Sequence, residues 1–128
     1  GMSATIREWT LAAEYIAQSG NTDIILCERG IRTYETHTRN TLDLSAVPLM
    51  QAETGLPILV DPSHGTGRRQ LILPMSRAAL ACGADGLMVE AHIRPSEALC
   101  DGPQSLSPEE YRHLVTGLRP FLQEERFE

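Results

Sequence analysis

Residues 45–61 read SAVPLMQAETGLPILVD, and this stretch decides the fold class because a helix signal, a stop signal and a strand signal follow one another. Residues 45–54 have helical character, and Gly55 suits the left-handed position that ends a helix. The apolar run at 56–60 is short and continuous, which is typical of a strand buried on both faces of a sheet. A helix that leads directly into a buried strand is the repeating unit of an α/β fold.

The same order of helix and strand occurs on both sides of this stretch. Upstream, a capping-box spacing of threonine and glutamate begins a predicted helix at 5–20, and the run at 23–30 is a predicted strand. Downstream, we predict a helix at 74–83, a strand at 86–92 and a last helix at 107–120. Three strands at the roughly 30-residue spacing of βαβ units predict a parallel sheet. Because no strand is followed by a GxGxxG motif or a P-loop, the pattern favours part of a (β/α)8 barrel over a nucleotide-binding sheet.

Composition limits the classes of partner that the chain can have. The 128 residues carry a formal charge of −6, and the eleven basic residues are all arginine. This balance argues against general affinity for nucleic acid or membranes, so any anion binding must be local. The three cysteines lack CxxC spacing, which indicates neither a disulfide framework nor a zinc knuckle and fits a reducing compartment. With no apolar stretch of the roughly 18 residues that span a bilayer, we expect one cytoplasmic domain over residues 1–128.

Charged and ligating side chains follow each of the three predicted strands. The carboxyl ends of parallel strands meet on one face, where barrel enzymes keep their active sites. We therefore expect these side chains to share one rim of the sheet. The residues are Glu28 and Arg29 after the first strand, Asp61, Ser63 and His64 after the second, Glu90 and His92 after the third, and Asp101 in the loop beyond it.

Three of these residues form a candidate metal site. His64, Glu90 and Asp101 supply one nitrogen and two carboxylate donors, a set that suits divalent manganese, iron, cobalt or zinc. His92 is a reserve ligand. Each residue also has an ordinary structural interpretation, since a histidine at a strand end often bonds a carbonyl group and an acid before glycine is often a turn residue.

Arg29 is the candidate anion-binding residue, because a guanidinium group presents parallel donors and Gly30 permits close approach. The alternative is a salt bridge to Glu28 or to another nearby acid. The stretch GTGRR at 65–69 could form a backbone anion nest, or it could be a flexible loop with solvated arginines. Cys27 lies inside an apolar strand and is predicted to pack in the core.

Five motifs in order resemble the C-terminal part of 3-deoxy-D-arabino-heptulosonate 7-phosphate (DAHP) synthase. The opening residues 1–16 also resemble the helix that precedes the first of these motifs in that family. The resemblance therefore covers essentially the whole chain. The motifs are ILCERGIRTYE at 25–35, TRNTLDLSAVP at 38–48, LPILVDPSHGTGRR at 56–69, GADGLMVEAH at 83–92 and LCDGPQSLSPEE at 99–110.

The resemblance implies a metal-dependent (β/α)8 barrel that condenses phosphoenolpyruvate with erythrose 4-phosphate and releases phosphate, the first step of aromatic amino acid synthesis. It implies that His64, Glu90 and Asp101 are metal ligands and that Arg29 binds phosphoenolpyruvate, so that Arg29 and His64 are the catalytic candidates. The related 3-deoxy-octulosonate 8-phosphate synthase family is the alternative, although the motifs at 38–48 and 56–69 favour the heptulosonate enzyme.

The chain departs from the family pattern in its length. The family's fourth metal ligand, a cysteine, and two lysine-containing substrate segments belong to earlier strands that we do not find in this sequence. We therefore expect about three of the eight barrel strands with the N-terminal strands absent. Such a sheet exposes edges and apolar surface, so we expect assembly with a second copy or with the missing barrel half. We expect little activity from the chain alone, and the alternative is a non-catalytic split or remnant subunit that acts as an assembly module.

Overall fold

Three parallel strands form the sheet of this protein in a computed structural model, which describes residues 2–122. The strand order is β1-β2-β3, and both pairings are parallel, with Cys27 opposite Leu59 and Leu59 opposite Gly86. The predicted fold class, a partial barrel of about three parallel strands with flanking helices, is confirmed. The strands are β1 at Leu26–Glu28, β2 at Ile58–Val60 and β3 at Gly86–Leu87.

The third strand is shorter than the predicted run at 86–92, because side chains and a loop replace the neighbouring strand as hydrogen-bond partners. The Glu90 amide donates to Ser63 Oγ at 3.0 Å. The segment then pairs with the loop at Leu106, whose N–H donates to the Glu90 carbonyl at 2.9 Å. This change of partner brings the loop that carries Asp101 back to the carboxyl end of the sheet.

Five α-helices accompany the sheet within residues 2–122, and the predicted capping boxes are both present. Thr5 Oγ1 accepts from the Glu8 amide at 3.1 Å while Glu8 Oε2 accepts from the Thr5 amide at 2.8 Å. Ser107 and Glu110 make the same reciprocal pair at 3.2 and 2.7 Å. The helices are α1 at Ile6–Gln18, α2 at Ala46–Thr54, α3 at Pro62–Thr66, α4 at Ile72–Ala81 and α5 at Pro108–Leu118.

The short helix α3 includes residues 65 and 66 of the stretch at 65–69, for which we hypothesised an anion nest or a flexible loop. Asp61 caps this helix by accepting from the His64 amide at 2.9 Å, and Pro62 supplies a preformed first turn. Gly67 ends the helix in the left-handed conformation, at φ 66°. The amides of residues 65 and 67 donate to carbonyl groups of this turn, so they do not form the hypothesised nest.

The core lies between one face of the sheet and the helices. Within residues 2–122 the opposite face remains open: Ile25 is 62% and Met88 is 43% exposed. Cys27, which we predicted to be in the core, is only half-buried, because alternation along β1 places it on the same face as Ile25. No helix within residues 2–122 has the length and apolar character needed to cross a membrane. The main core residues are Trp9, Ala13, Leu26, Ala46, Val47, Met50, Ile58, Val60, Ala79 and Ala84.

Candidate metal and anion site

Helix α3 positions His64 at the carboxyl end of the sheet. The chain leaves β2 at Val60 and turns at once into α3, so His64 points across the end of the neighbouring strand. Ser63 is completely buried, and its hydroxyl bonds the Glu90 amide. This contact ties the segment that carries Glu90 to the helix that carries His64.

His64, Glu90 and Asp101 converge on one point. His64 Nε2 lies 3.4 Å from Glu90 Oε2 and 3.3 Å from Asp101 Oδ2. The three candidate ligand atoms all lie within 4.8 Å of one another, and all three residues are partly buried. The structure thus brings together, from two separate strand ends and a loop, the three residues that the sequence nominated. Their role as metal ligands stays a prediction.

A buried carboxylate holds His64 from the other side. The Asp61 side chain is 0% exposed, and its Oδ2 lies 2.7 Å from His64 Nδ1. The same oxygen accepts from Arg29 Nε at 3.1 Å. With Nδ1 occupied in this way, Nε2 is the nitrogen that His64 offers to the two carboxylates.

Arg39 and Gln104 hold the two carboxylates from outside. Arg39 Nη1 donates to Asp101 Oδ1 at 2.9 Å and to Gln104 Oε1 at 3.0 Å. Gln104 is buried, and its Nε2 donates to Glu90 Oε2 at 3.2 Å. Burial by itself raises the pKa of Asp101, but the hydrogen bond and positive charge of Arg39, together with His64, lower it below its ordinary value. Asp101 is therefore a carboxylate at neutral pH.

The loop after β1 carries Arg39 and packs directly on α3. The amide of Arg39 donates to the Thr66 carbonyl and that of Asn40 to the Gly65 carbonyl, both at 3.0 Å. A Cβ at Gly67 would lie 2.6 Å from the Cβ of Arg39, so only glycine lets the loop approach this closely. These backbone contacts fix the position from which the Arg39 side chain extends.

The donor set fits a divalent transition metal. An imidazole nitrogen and two carboxylate oxygens are borderline-to-hard ligands that manganese, iron, cobalt and zinc all accept. The Asp61 contact to Nδ1 is the outer carboxylate that metal-binding histidines usually have. The three ligands that residues 2–122 supply leave at least one position open in a four-coordinate site.

Two residues nominated at the rim lie outside this cluster. Glu28 is buried on the opposite face of β1, where its carboxylate accepts from the Gly30 amide at 2.6 Å. Burial raises the pKa of Glu28 above its ordinary value. His92, the reserve ligand, is exposed, and its Nδ1 accepts from the Arg94 amide at 2.9 Å. Strand alternation could have separated Glu28 from Arg29, since neighbouring residues point to opposite faces.

Arg29 combines the two interpretations that the sequence left open. It does form a salt bridge, but to Asp61 and not to Glu28. That bridge uses Nε, and within residues 2–122 the terminal Nη atoms make no hydrogen bond. The side chain is 30% exposed, and its Nε shares Asp61 Oδ2 with His64 Nδ1.

Three residues of the site lack a role in the sequence-based prediction: Asp61 as the shared acceptor, Arg39 and Gln104. The Asp-Pro-Ser-His spacing contains a signal for Asp61, since an acid before proline at a helix start is an N-cap. Neither Arg39 nor Gln104 has a comparable signal, because their contacts join segments that are distant in sequence.

Comparison with known proteins is consistent with this geometry. The family model described as "DAHP synthetase I family" matches residues 1–124. Phospho-2-dehydro-3-deoxyheptonate aldolase of Thermotoga maritima is 60% identical over 119 residues, which are 93% of this chain and 35% of that protein. A crystal structure of the Thermotoga maritima aldolase, also titled DAHP synthase, superposes with a TM-score of 0.89 at 61% identity. The superposition covers 91% of this chain and 34% of the aldolase chain.

The related octulosonate enzymes are more distant. A 2-dehydro-3-deoxyphosphooctonate aldolase of Desulfosudis oleivorans is 38% identical over 120 residues, covering 85% of this chain and 42% of that protein. This chain thus spans about a third of the length of the Thermotoga relative and less than half of the octulosonate relative.

Proposed function

Because this chain belongs to the DAHP synthetase I family, we propose that it forms the metal-binding and phosphoenolpyruvate-binding part of a 3-deoxy-7-phosphoheptulonate synthase. In the proposed reaction, the enol carbon of phosphoenolpyruvate bonds to the aldehyde carbon of erythrose 4-phosphate, whose oxygen takes up a proton and becomes a hydroxyl. Water adds to C2 of phosphoenolpyruvate and supplies that proton, and the bond from C2 to the phosphate oxygen breaks, so that inorganic phosphate leaves. The observation that carries this proposal is the convergence of His64, Glu90 and Asp101 within 4.8 Å, beside the Arg29 that Asp61 holds.

The residues of the cluster have distinct proposed roles. His64, Glu90 and Asp101 bind a divalent manganese, iron, cobalt or zinc ion, which supplies Lewis acidity toward the aldehyde oxygen. Arg29 directs its terminal donors to an anionic group of phosphoenolpyruvate. Holding phosphoenolpyruvate beside the metal site reduces the entropic cost of bringing it together with erythrose 4-phosphate, the second anionic substrate.

The identities favour the heptulosonate reaction over the octulosonate one. The Thermotoga relative is 60% identical, whereas the octulosonate relative of Desulfosudis oleivorans is 38% identical. The alternative, a non-catalytic assembly module that retains the three-ligand metal site, has no need for outer contacts that orient those ligands. The outer contacts from Asp61, Arg39 and Gln104 support the catalytic role.

We propose that the chain is one segment of a (β/α)8 barrel in the cytoplasm and works together with further strands. The open face of the sheet supports the need for further strands. Within residues 2–122, β1 and β3 each pair on one edge only, and Ile25 and Met88 are exposed beside them. Unpaired edges next to apolar side chains favour strand addition. We propose that a second copy or the remaining strands of a barrel cover this surface.

The test is phosphate release from phosphoenolpyruvate, measured with and without erythrose 4-phosphate and Mn²⁺. We expect little release from the chain alone. We expect release that requires both additions when the part of the Thermotoga relative that this chain does not match is co-expressed with it. His64→Ala should abolish this release while His92→Ala retains it. Equal release from the two histidine variants, or none from any reconstituted pair, would contradict the proposal.

A further inference from the structure

We infer that Asp61 is a positioning residue that couples the metal site to the anion site, so that occupancy of one strengthens binding at the other. This inference rests on the proposed function, because it takes His64 as a metal ligand and Arg29 as the anion-binding residue. It adds a property that neither subsite has by itself. Asp61 contacts neither ligand in this scheme and acts only through His64 and Arg29.

The coupling is built on one carboxylate that serves three donors. Asp61 Oδ1 accepts from the His64 amide at 2.9 Å, and Oδ2 accepts from Arg29 Nε at 3.1 Å. Oδ2 also lies 2.7 Å from His64 Nδ1, which donates to it in the tautomer that leaves Nε2 free for a metal. The carboxylate is completely buried, so bulk solvent does not reach these contacts. A change in the hydrogen bond between Asp61 and either partner, His64 or Arg29, therefore alters its interaction with the other partner.

A carboxylate satisfies this arrangement, whereas an amide does not. Both oxygens face N–H groups, and an amide in the same place turns its own N–H₂ toward a donor in either orientation. In addition, a buried carboxylate balances a positive charge far more effectively than an exposed one does. Asp61 thus divides its charge between an imidazole and a guanidinium group.

The direction of the coupling follows from this division. When His64 binds a cation through Nε2, the added positive charge strengthens the hydrogen bond between Nδ1 and Asp61 Oδ2 and draws the Asp61 charge toward the ring. Asp61 then neutralises Arg29 less, and Arg29 attracts an anion more strongly. Linkage requires the reverse effect to be equal, so a bound anion must strengthen metal binding by the same factor.

The experiment is isothermal titration of phosphoenolpyruvate into the full chain with and without saturating Mn²⁺, after correction for Mn²⁺–phosphoenolpyruvate association in buffer. The ratio of the two dissociation constants is the coupling factor. Direct attraction between the metal and the anion contributes to that factor in every variant. Comparing Asp61→Asn with Glu28→Gln, which removes a nearby buried charge that contacts neither Arg29 nor His64, isolates the contribution of Asp61.

We expect Asp61→Asn to reduce the coupling factor by about fivefold or more, a change at the low end of measured couplings between sites. We expect Glu28→Gln to keep the wild-type factor. Equal factors in wild type and Asp61→Asn would overturn the inference while leaving the proposed function standing. If wild type bound no Mn²⁺ in a titration without substrate, the proposed metal site and the coupling would both be wrong.

A second variant keeps the test decisive if Asp61→Asn does not fold. Arg29→Lys retains a positive charge on a partly exposed side chain, but one ammonium group cannot point both to Asp61 and to an anion as the guanidinium group does. We expect it to bind phosphoenolpyruvate with a coupling factor reduced to a similar extent. A wild-type factor in Arg29→Lys would contradict the coupling route through Asp61.

Discussion

His64 Nδ1 lies 2.7 Å from Oδ2 of Asp61, and this carboxylate is completely buried at the start of α3. The contact orients the imidazole ring so that Nε2 faces Glu90 and Asp101. The same aspartate begins the helix that carries His64, since it accepts from the His64 amide. Local folding and site geometry therefore depend on one side chain.

Glu28 and Glu110 should contribute to the pH dependence of stability with opposite signs. Burial raises the pKa of Glu28, so the folded chain holds this proton more tightly and the free energy of unfolding falls as pH rises above about 4.5. Glu28→Gln removes this titration. We expect the free energy of unfolding of the variant, minus that of wild type, to increase from pH 4 to pH 7. Any pH-independent effect of the amide adds a constant to this difference and does not change the trend.

Glu110→Gln provides the opposite case. The hydrogen bond from the Ser107 amide lowers the pKa of Glu110, so its stabilising contribution is present above its ordinary value and is lost as pH falls through the lowered one. Relative to wild type, this variant should lose stability between pH 4 and pH 7. Urea unfolding at several pH values measures both trends, and parallel curves for the two variants would contradict the assignments.

The cap of α5 should contribute measurably to stability. Ser107→Ala removes the side-chain acceptor for the Glu110 amide, and we expect a loss of about 1 kcal/mol in the free energy of unfolding. Ser107→Asp keeps an acceptor at the same position and should stay close to wild type. Urea denaturation checks both values, and an alanine variant as stable as wild type would show that this cap is dispensable.

The three cysteines should react with iodoacetamide at very different rates. Burial, reinforced by the Asp61 charge, raises the pKa of Cys27 to about 11, so on the order of one thiol in a thousand is ionised at pH 8. Cys100 is exposed. Peptide mass spectrometry should find Cys100 labelled first and Cys27 last, with all three labelled together in denaturant. Early labelling of Cys27 would place it in a different environment.

The open sheet face should govern assembly. Ile25→Glu puts a charge beside the unpaired edge of β1, whereas Leu99→Glu changes a fully exposed loop residue away from the sheet. Light scattering should show wild type and Leu99→Glu as species larger than the 14.1 kDa monomer, and Ile25→Glu shifted toward it. A monomeric wild type would contradict assembly through this face.

Residue periodicity and capping chemistry were sufficient to predict the class of fold. Thr5 and Ser107 mark helix starts because their side chains replace missing hydrogen bonds locally, and the apolar runs around Leu26 and Ile58 mark strands that are buried by neighbouring helices. The end of β3 was not predictable in this way. Its length depends on Ser63 Oγ taking the place of a backbone carbonyl, a contact between distant segments.

The candidate site likewise contains residues that the sequence could predict and contacts that it could not. His64, Glu90 and Asp101 could be nominated because strand ends of a parallel sheet meet on one face. His92 was nominated on the same argument, but the chain turns outward there and exposes it. The contacts of Arg39 depend on how the loop after β1 packs on α3, and only the folded structure supplies that information.

The measurement that tests the central claim most directly is titration of Mn²⁺ into wild type, His64→Ala and His92→Ala. We predict one site in wild type and in His92→Ala with similar affinity. We predict that His64→Ala weakens binding by more than about 100-fold, beyond the 10–100-fold cost of altering an outer partner of a metal ligand. Equal affinities for the two histidine variants would contradict the claim that His64, Glu90 and Asp101 form a metal site.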